Sequence, residues 1–439
     1  MRKISLLLAV ALSTVSNLYF LSPSFAGTSY SFTNAGATGF NGPLQAQIDS
    51  AYSGSTLQGL VTISTRGIQS WTVPTSGEYS ITIAGAAGGS NLARSLPGGG
   101  GAVLTTVVSL TAGTVLNVVV GQKGTDNPAN CSDTFCGAAG GGGSFVYTSP
   151  GNTFLAVAGG GGGAASTTSN LFSSKTTADG KALVTSGTNV GPTASPCTLN
   201  LSSTGGSNGS GGSLSNRTPS NTNTGAPGAG INSAGATYAS AEGKSLSGNW
   251  LGGNSTYTSN RPGGFGGGAA ATSTSTWFWA GGGGGYSGGG AGFNAGCGDG
   301  QYGGGGGSYY TGNLTSGSNG ANSSHGYVTI TQQTVTTANF NSFALAGNAT
   351  TATFRTVVTI NASVDISARV TFKQGNLIIS GCKNKVATGS GSVFTTSCNW
   401  KPSQRGSVSL SATATPVAGG NTGSAIPVRV VVNNRTGPR

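Results

Sequence analysis

Apolar and polar residues alternate with a period of two in a series of short segments, which predicts β-strands. Residues 67–74 (GIQSWTVP) and 78–84 (EYSITIA) show the pattern, as do 102–110, 115–120, 144–148, 154–158 and 326–331. Turn chemistry separates them: Thr111, Ala112, Gly113 and Thr114 in one place, Ser149, Pro150, Gly151 and Asn152 in another. Only 45–52 carries a helical spacing. After Gln333 polyglycine disappears and β-branched residues rise. There 351–361, 364–372, 376–380, 407–414 and 426–432 read as strands spaced for a compact β-sandwich. The pattern predicts an all-β chain of two domains, 27–333 and 334–439, behind a leader at 1–26.

Glycine changes this picture, with 81 of 439 residues. It clusters at 98–101, 140–143, 159–163, 281–285 and 303–307, without the Gly-X-Y period of collagen. Glycine loses the most backbone entropy on ordering, so disorder is the bland alternative. Against it, many runs sit beside strand-like segments. Residues 167–258 are Ser, Asn, Thr and Gly with few apolar anchors, and are expected to form a mobile insertion.

The start of the chain reads as a secretory signal. Arg2 and Lys3 precede an apolar stretch, and Ser24 and Ala26 are small residues placed for cleavage before Gly27. A membrane anchor is the rival, but Ser13, Thr14, Ser16 and Asn17 interrupt the stretch. No later segment is apolar enough to span a bilayer, so a secreted or cell-surface location is expected. Cleavage leaves 18 of the 20 Lys and Arg against 8 Asp and Glu. Arg66, Arg94, Lys123, Lys175, Lys181, Arg217, Lys244 and Arg261 are scattered, which argues against a nucleic-acid partner. Spacing suggests Cys131 with Cys136, Cys197 with Cys297, and Cys382 with Cys398, and leaves the pairing beyond Cys382 with Cys398 open. Zinc would be the other use, but His325 is the single histidine and the spacing is wide.

Catalytic patterns fail on inspection. The carboxylates Asp49, Glu78, Asp126, Asp133, Asp179, Glu242, Asp299 and Asp365 are far apart in sequence. A Ser-His-Asp triad would have to use His325, which sits in a polar turn. Gly243-Lys244-Ser245 resembles the end of a phosphate loop, but Tyr238 stands where its first glycine is required. No cofactor or metal is expected, and the chain reads as a non-enzyme.

Specific residues carry a family likeness. Phe32-Thr33, Gly36-Ala37-Thr38-Gly39, Gly42-Pro43, Gln45-Ala46-Gln47 and Ala51-Tyr52 come first. Then follow Gly67-Ile68-Gln69, Trp71, Val73-Pro74, Tyr79-Ser80-Ile81 and Gly85-Ala86-Ala87-Gly88-Gly89. Val119-Val120-Gly121-Gln122, Gly243-Lys244-Ser245-Leu246 and the run 263–268 continue the series. Over about residues 30–331 the chain resembles the extracellular glycine-rich domain of the anaplastic lymphoma kinase and leukocyte tyrosine kinase receptors. Ala35 and Ile48 stand where that family has cysteines, consistent with the joint loss of one disulfide. The resemblance implies a jelly-roll-like sandwich with inserted polyproline II glycine helices, and ligand binding. No kinase domain follows in this sequence, so binding transfers and signalling does not. Val370-Thr371-Phe372, Ile379, Cys382, the Cys398-Asn399-Trp400-Lys401-Pro402 cluster and Leu410-Ser411-Ala412 resemble the immunoglobulin-like modules of bacterial surface and secreted proteins.

Trp277, Phe278, Trp279, Tyr286, Tyr302, Tyr309 and Tyr310 lie among the late glycine runs. They either plug the glycine bundle against the sandwich or, exposed, form an aromatic binding surface. In the second case Trp277, Phe278, Trp279, Tyr286, Tyr309 and Tyr310 are the candidate ligand-binding residues. The expected function is recognition or adhesion toward an extracellular protein or glycan. The alternative is a structural envelope or matrix component that self-associates.

Overall fold

The computed structural model describes residues 27–131, 136–166, 174–191, 202–215, 224–237, 240–255, 261–273, 278–293, 300–333, 337–417 and 420–434. It is nearly all β and divides into two compact units, with the boundary between Gln333 and Thr334.

The first unit holds thirteen strands among its described residues: β1 (Ser29–Phe32), β2 (Val61–Thr62), β3 (Ile68–Thr72), β4 (Gly77–Ala84), β5 (Gly101–Leu110), β6 (Val115–Val119), β7 (Ser144–Ser149), β8 (Phe154–Ala158), β9 (Thr272–Ser273), β10 (Phe278–Trp279), β11 (Tyr309–Tyr310), β12 (Asn313–Asn322) and β13 (Tyr327–Gln332). Two antiparallel sheets form, in the orders β1-β13-β4-β5-β12 and β11-β8-β7-β6-β3-β2. Each strand that alternates in sequence turns its apolar side inward. Phe32, Tyr79, Ile81, Ile83, Leu104, Val328 and Ile330 from one sheet share a core with Trp71, Leu116, Val118, Val146 and Ala156 from the other. A short helix, α1 (Gln45–Ala51), adds Ile48 to this core. The polar centre is satisfied: Tyr52 Oη donates to Gln69 Oε1 at 2.6 Å, and Gln69 Nε2 donates to the Thr33 carbonyl at 2.8 Å.

The glycine runs sit outside the regular strands, and their backbones bond sideways with a stride of three. Along 138–143, Ala138 and Gly141 donate to Ala164 and Gly161, Ala139 and Gly142 to Thr125 and Gln122, and Gly140 and Gly143 to Ala269 and Gly266. One segment therefore addresses three neighbours, each with every third residue. The run 160–164 repeats the device: Gly160 and Gly163 donate to Gly284 and Gly281, Gly161 and Ala164 to Ala86 and Gly89. Contact is so close that a Cβ on Gly161 would overlap the carbonyl of Gly99.

The stretch 167–258 departs from the expectation of a mobile insertion. Where described, it is woven into the same lattice: Val190 and Ser203 exchange backbone bonds, and Gly228 donates to Gly289. Trp250 is fully buried and stacks on Phe145 at 3.9 Å. Its polar composition hid this because many of the contacts are made by backbone groups. Strand β12 was also invisible to hydrophobic patterning. Apart from Leu314, which packs against the core, its ten residues (NLTSGSNGAN) are small or polar, yet they complete an edge by pairing with β5.

The second unit encloses its own core, including Ile360, Val364, Val370, Phe372, Trp400, Leu410 and Val430, between two sheets. One sheet contains Phe340–Leu345, Val358–Val364, Val393–Trp400 and Thr388–Ser390. The other orders Thr351–Thr353, Val428–Asn433, Gly406–Pro416, Ala368–Gln374 and Leu377–Ile378. The segment 351–361, expected as one strand, breaks at Arg355, whose φ of 60° lies in the left-handed region. The segment 364–372 likewise divides, since Val364 ends one strand and Ala368 begins the next.

Disulfides join Cys131 to Cys136 and Cys382 to Cys398. Cys197 and Cys297 lie outside the described residues.

Two outcomes test this architecture. Gly161→Ala inserts a methyl group against backbone that cannot swing aside, so thermal unfolding should show a loss of about 2 kcal/mol or more. Replacing Cys382 and Cys398 by Ser opens a loop with a sequence separation of 16 and should cost the second unit about 3 kcal/mol, read by chemical denaturation of the oxidised and variant proteins.

Candidate functional site

The aromatic residues expected as one surface divide into buried and exposed members. Phe278 and Trp279 form β10, which pairs with β9, and both are buried. The Arg261 guanidinium lies over the Phe278 ring at 3.5 Å, and the Phe278 carbonyl accepts from Gly137. These two side chains, with buried Tyr302, plug the bundle and present no face to a ligand. Trp277 lies outside the described residues.

Tyr286, Tyr309 and Tyr310 behave differently. Tyr286 and Tyr309 stack at 4.8 Å with an interplanar angle of 15°, both half-buried. Tyr286 is fixed by its backbone, donating to Gly307 and accepting from Ile231. Tyr309 and Tyr310 form β11 at the end of the six-stranded sheet, opposite Val157 and Ala156. Their side chains point to opposite faces, and Tyr310 is 36% exposed. Patterning missed two neighbours. Ser308, directly before β11, donates to the Val184 carbonyl, which brings Leu183 and Val184 to this edge at 59% and 51% exposure. An aromatic pair beside exposed apolar residues can bury a planar or apolar group while phenolic hydroxyls bond its polar edge.

A second concavity, of about 820 Å³, lies in the second unit and is lined by polar side chains including Ser342, Asn361, Asn384, Lys385, Thr388 and Thr395. Hydroxyl and amide groups at this density match a ligand rich in hydroxyls. Its sequence signal is the Ser, Thr and Asn that alternate with buried positions along Val358–Val364 and Val393–Trp400.

The few charges of the first unit act as clasps. Asp126 accepts from the Ser90 backbone at 2.7 Å and pairs with Lys123 at 2.8 Å. Asp179 accepts from the Gly100 backbone and from Lys175. Burial, and then the Asp179 charge, hold the Tyr302 phenol above its usual range. Burial lowers the Lys181 ammonium, with Asp179 opposing. Glu242 is buried and pairs with Lys244. His325 accepts the Lys123 backbone N–H on Nδ1 at 3.0 Å, which joins the turn before β13 to the glycine lattice. Among the described residues, no three His, Cys, Asp or Glu side chains group as metal ligands.

No protein-family model matches the chain. It is similar to the leukocyte tyrosine kinase receptor of Mus musculus. The two are 39% identical over 99 residues, which is 22% of this chain and 11% of the receptor's length. The relation thus covers a small part of either protein, and it supports kinship with that receptor over this stretch. The two disulfides agree with a secreted or cell-surface setting. Among the described residues no helix is long and apolar enough to cross a membrane.

His325 gives a pH dependence. Burial lowers its pKa from the ordinary 6.5, and the nearby Lys123 charge lowers it further. The unfolded chain therefore takes up the proton first as pH falls. Stability is complete above about pH 6.5 and declines below it, as protonation also removes the Nδ1 acceptor. His325→Gln should flatten the melting temperature of the protein between about pH 7 and 5 relative to the parent.

Proposed function

We propose that this chain is a secreted or cell-surface recognition protein whose first unit binds a protein or glycan at the tyrosine edge. The observation that carries the proposal is the stacked Tyr286–Tyr309 pair held on a backbone lattice at the sheet end where Leu183 and Val184 are exposed. A rigid platform loses little entropy on binding, which favours affinity from a small contact. The similarity to part of a receptor supports the same role. The glycine runs act as polyproline II helices laid side by side. Their three-residue bonding stride supports this, since that helix has three residues per turn and no internal hydrogen bonds. The second unit serves as an immunoglobulin-like spacer or adhesion module.

Labelled full-length protein on intact cells and on a glycan array should bind saturably. The paired change Tyr309→Ala and Leu183→Ser should weaken that binding by about tenfold or more, with the melting temperature confirming that the variant is folded. Unchanged saturable binding would move the site elsewhere. Self-association without saturable binding would favour a structural envelope or matrix component.

A further inference from the structure

The charges divide unevenly between the two units. Residues 334–439 hold ten of the chain's 20 Lys and Arg but one of its 8 carboxylates, Asp365. Asp365 is occupied as an acceptor from Asn339, through both backbone and side chain. Among the described residues, the ion pairs are Lys123–Asp126, Lys175–Asp179 and Lys244–Glu242, all in the first unit.

Several of these cations share one sheet face. Gly406–Pro416 buries Val408, Leu410, Ala412 and Ala414, so Ser407, Ser409, Ser411, Thr413 and Thr415 point outward as a ladder of hydroxyls. Registration then sets the cations beside it. Arg429 pairs with Ser409 on one side, and Lys373 and Arg369 pair with Ser411 and Thr415 on the other. Paired residues point to the same face.

The N-terminal end of this ladder carries a second arrangement. Arg355 and Arg405 both lie over the ring of Phe354, their guanidinium carbons 5.2 and 4.7 Å from its centroid. The left-handed Arg355 is held there by its backbone bond to the Pro402 carbonyl at 3.1 Å. Two guanidiniums on one ring, with no carboxylate between them, repel each other until an anion intervenes.

We infer that the second unit binds a linear acidic polysaccharide along this face. From Arg405 to the Arg369–Thr415 pair the stripe runs about 33 Å, at about 3.3 Å per residue. That length suits a polymer with repeated anions better than a single ion. Carboxylate, sulfate or phosphate groups meet the cations, and the hydroxyl ladder bonds the sugar hydroxyls between them. The stripe offers no exposed aromatic ring on which bases could stack, because Phe354 is half-buried and covered by its two arginines. The inference is independent of the tyrosine edge.

Titrating labelled full-length protein with polygalacturonate, dextran sulfate, uncharged dextran and single-stranded DNA tests it and separates the anion types. Binding to one or both acidic polysaccharides, absent with dextran and weakened by salt, is expected. R355Q/R405Q and, separately, R369Q/K373Q/R429Q should each weaken it by about tenfold. The charge control R66Q/R94Q, in the first unit and off the stripe, should bind within about twofold of the parent, as should the tyrosine-edge variant. Melting temperatures confirm that each variant is folded. Equal weakening by the control would reduce the effect to net charge and overturn the stripe. So would unchanged binding in both stripe variants, equal affinity for uncharged dextran, or a preference for DNA.

Discussion

The first unit depends on backbone hydrogen bonds made sideways between glycine-rich segments. A helix or hairpin satisfies its own backbone locally, whereas the run 138–143 reaches three separate segments. Ordering each residue costs about 1–2 kcal/mol, and a typical hydrogen bond returns a net of about 0.5–1.5 kcal/mol. The lattice therefore gains from being anchored by the apolar sandwich core, where Trp71, Tyr79, Phe32 and their neighbours are buried. Close approach also explains its composition: a side chain would hold neighbouring backbones too far apart to exchange bonds.

That economy shapes the polar chemistry. With little side-chain surface inside the bundle, several of its charges have a structural duty. Asp126, Asp179 and His325 accept backbone N–H groups that the lattice cannot satisfy itself. The second unit follows a different logic. Conventional sheets satisfy its backbone, its core is apolar, and its cations stand without acidic partners in the described residues. Recognition at the tyrosine edge would draw on shape and aromatic area, whereas recognition on the basic face would draw on charge.

The strands of the sandwich were legible because each buries one side. β3, β4, β5, β6, β7, β8 and β13 fall on the alternating segments within a residue or two. β12 was not legible, because an edge strand can be stabilised by main-chain bonds to β5 with no apolar periodicity. The packing of the described residues within 167–258 was hidden for the same reason. Among the site residues, the late aromatics were legible as a group, but their division between plug and edge was not. Adjacent strand positions point opposite ways, and the lattice decides which side is covered.

The sequence by itself determined an all-β chain and pointed to the pairing of Cys382 with Cys398, while the other cysteine pairings stayed open. These follow from local periodicity, spacing and composition. Only the tertiary structure decided which segments the glycine runs would bond to, which tyrosines would remain at the edge, and that Arg369, Lys373 and Arg429 would line one hydroxyl ladder. Those outcomes depend on strand register and lateral contact between residues distant in sequence, and neither is written in any local pattern of side chains.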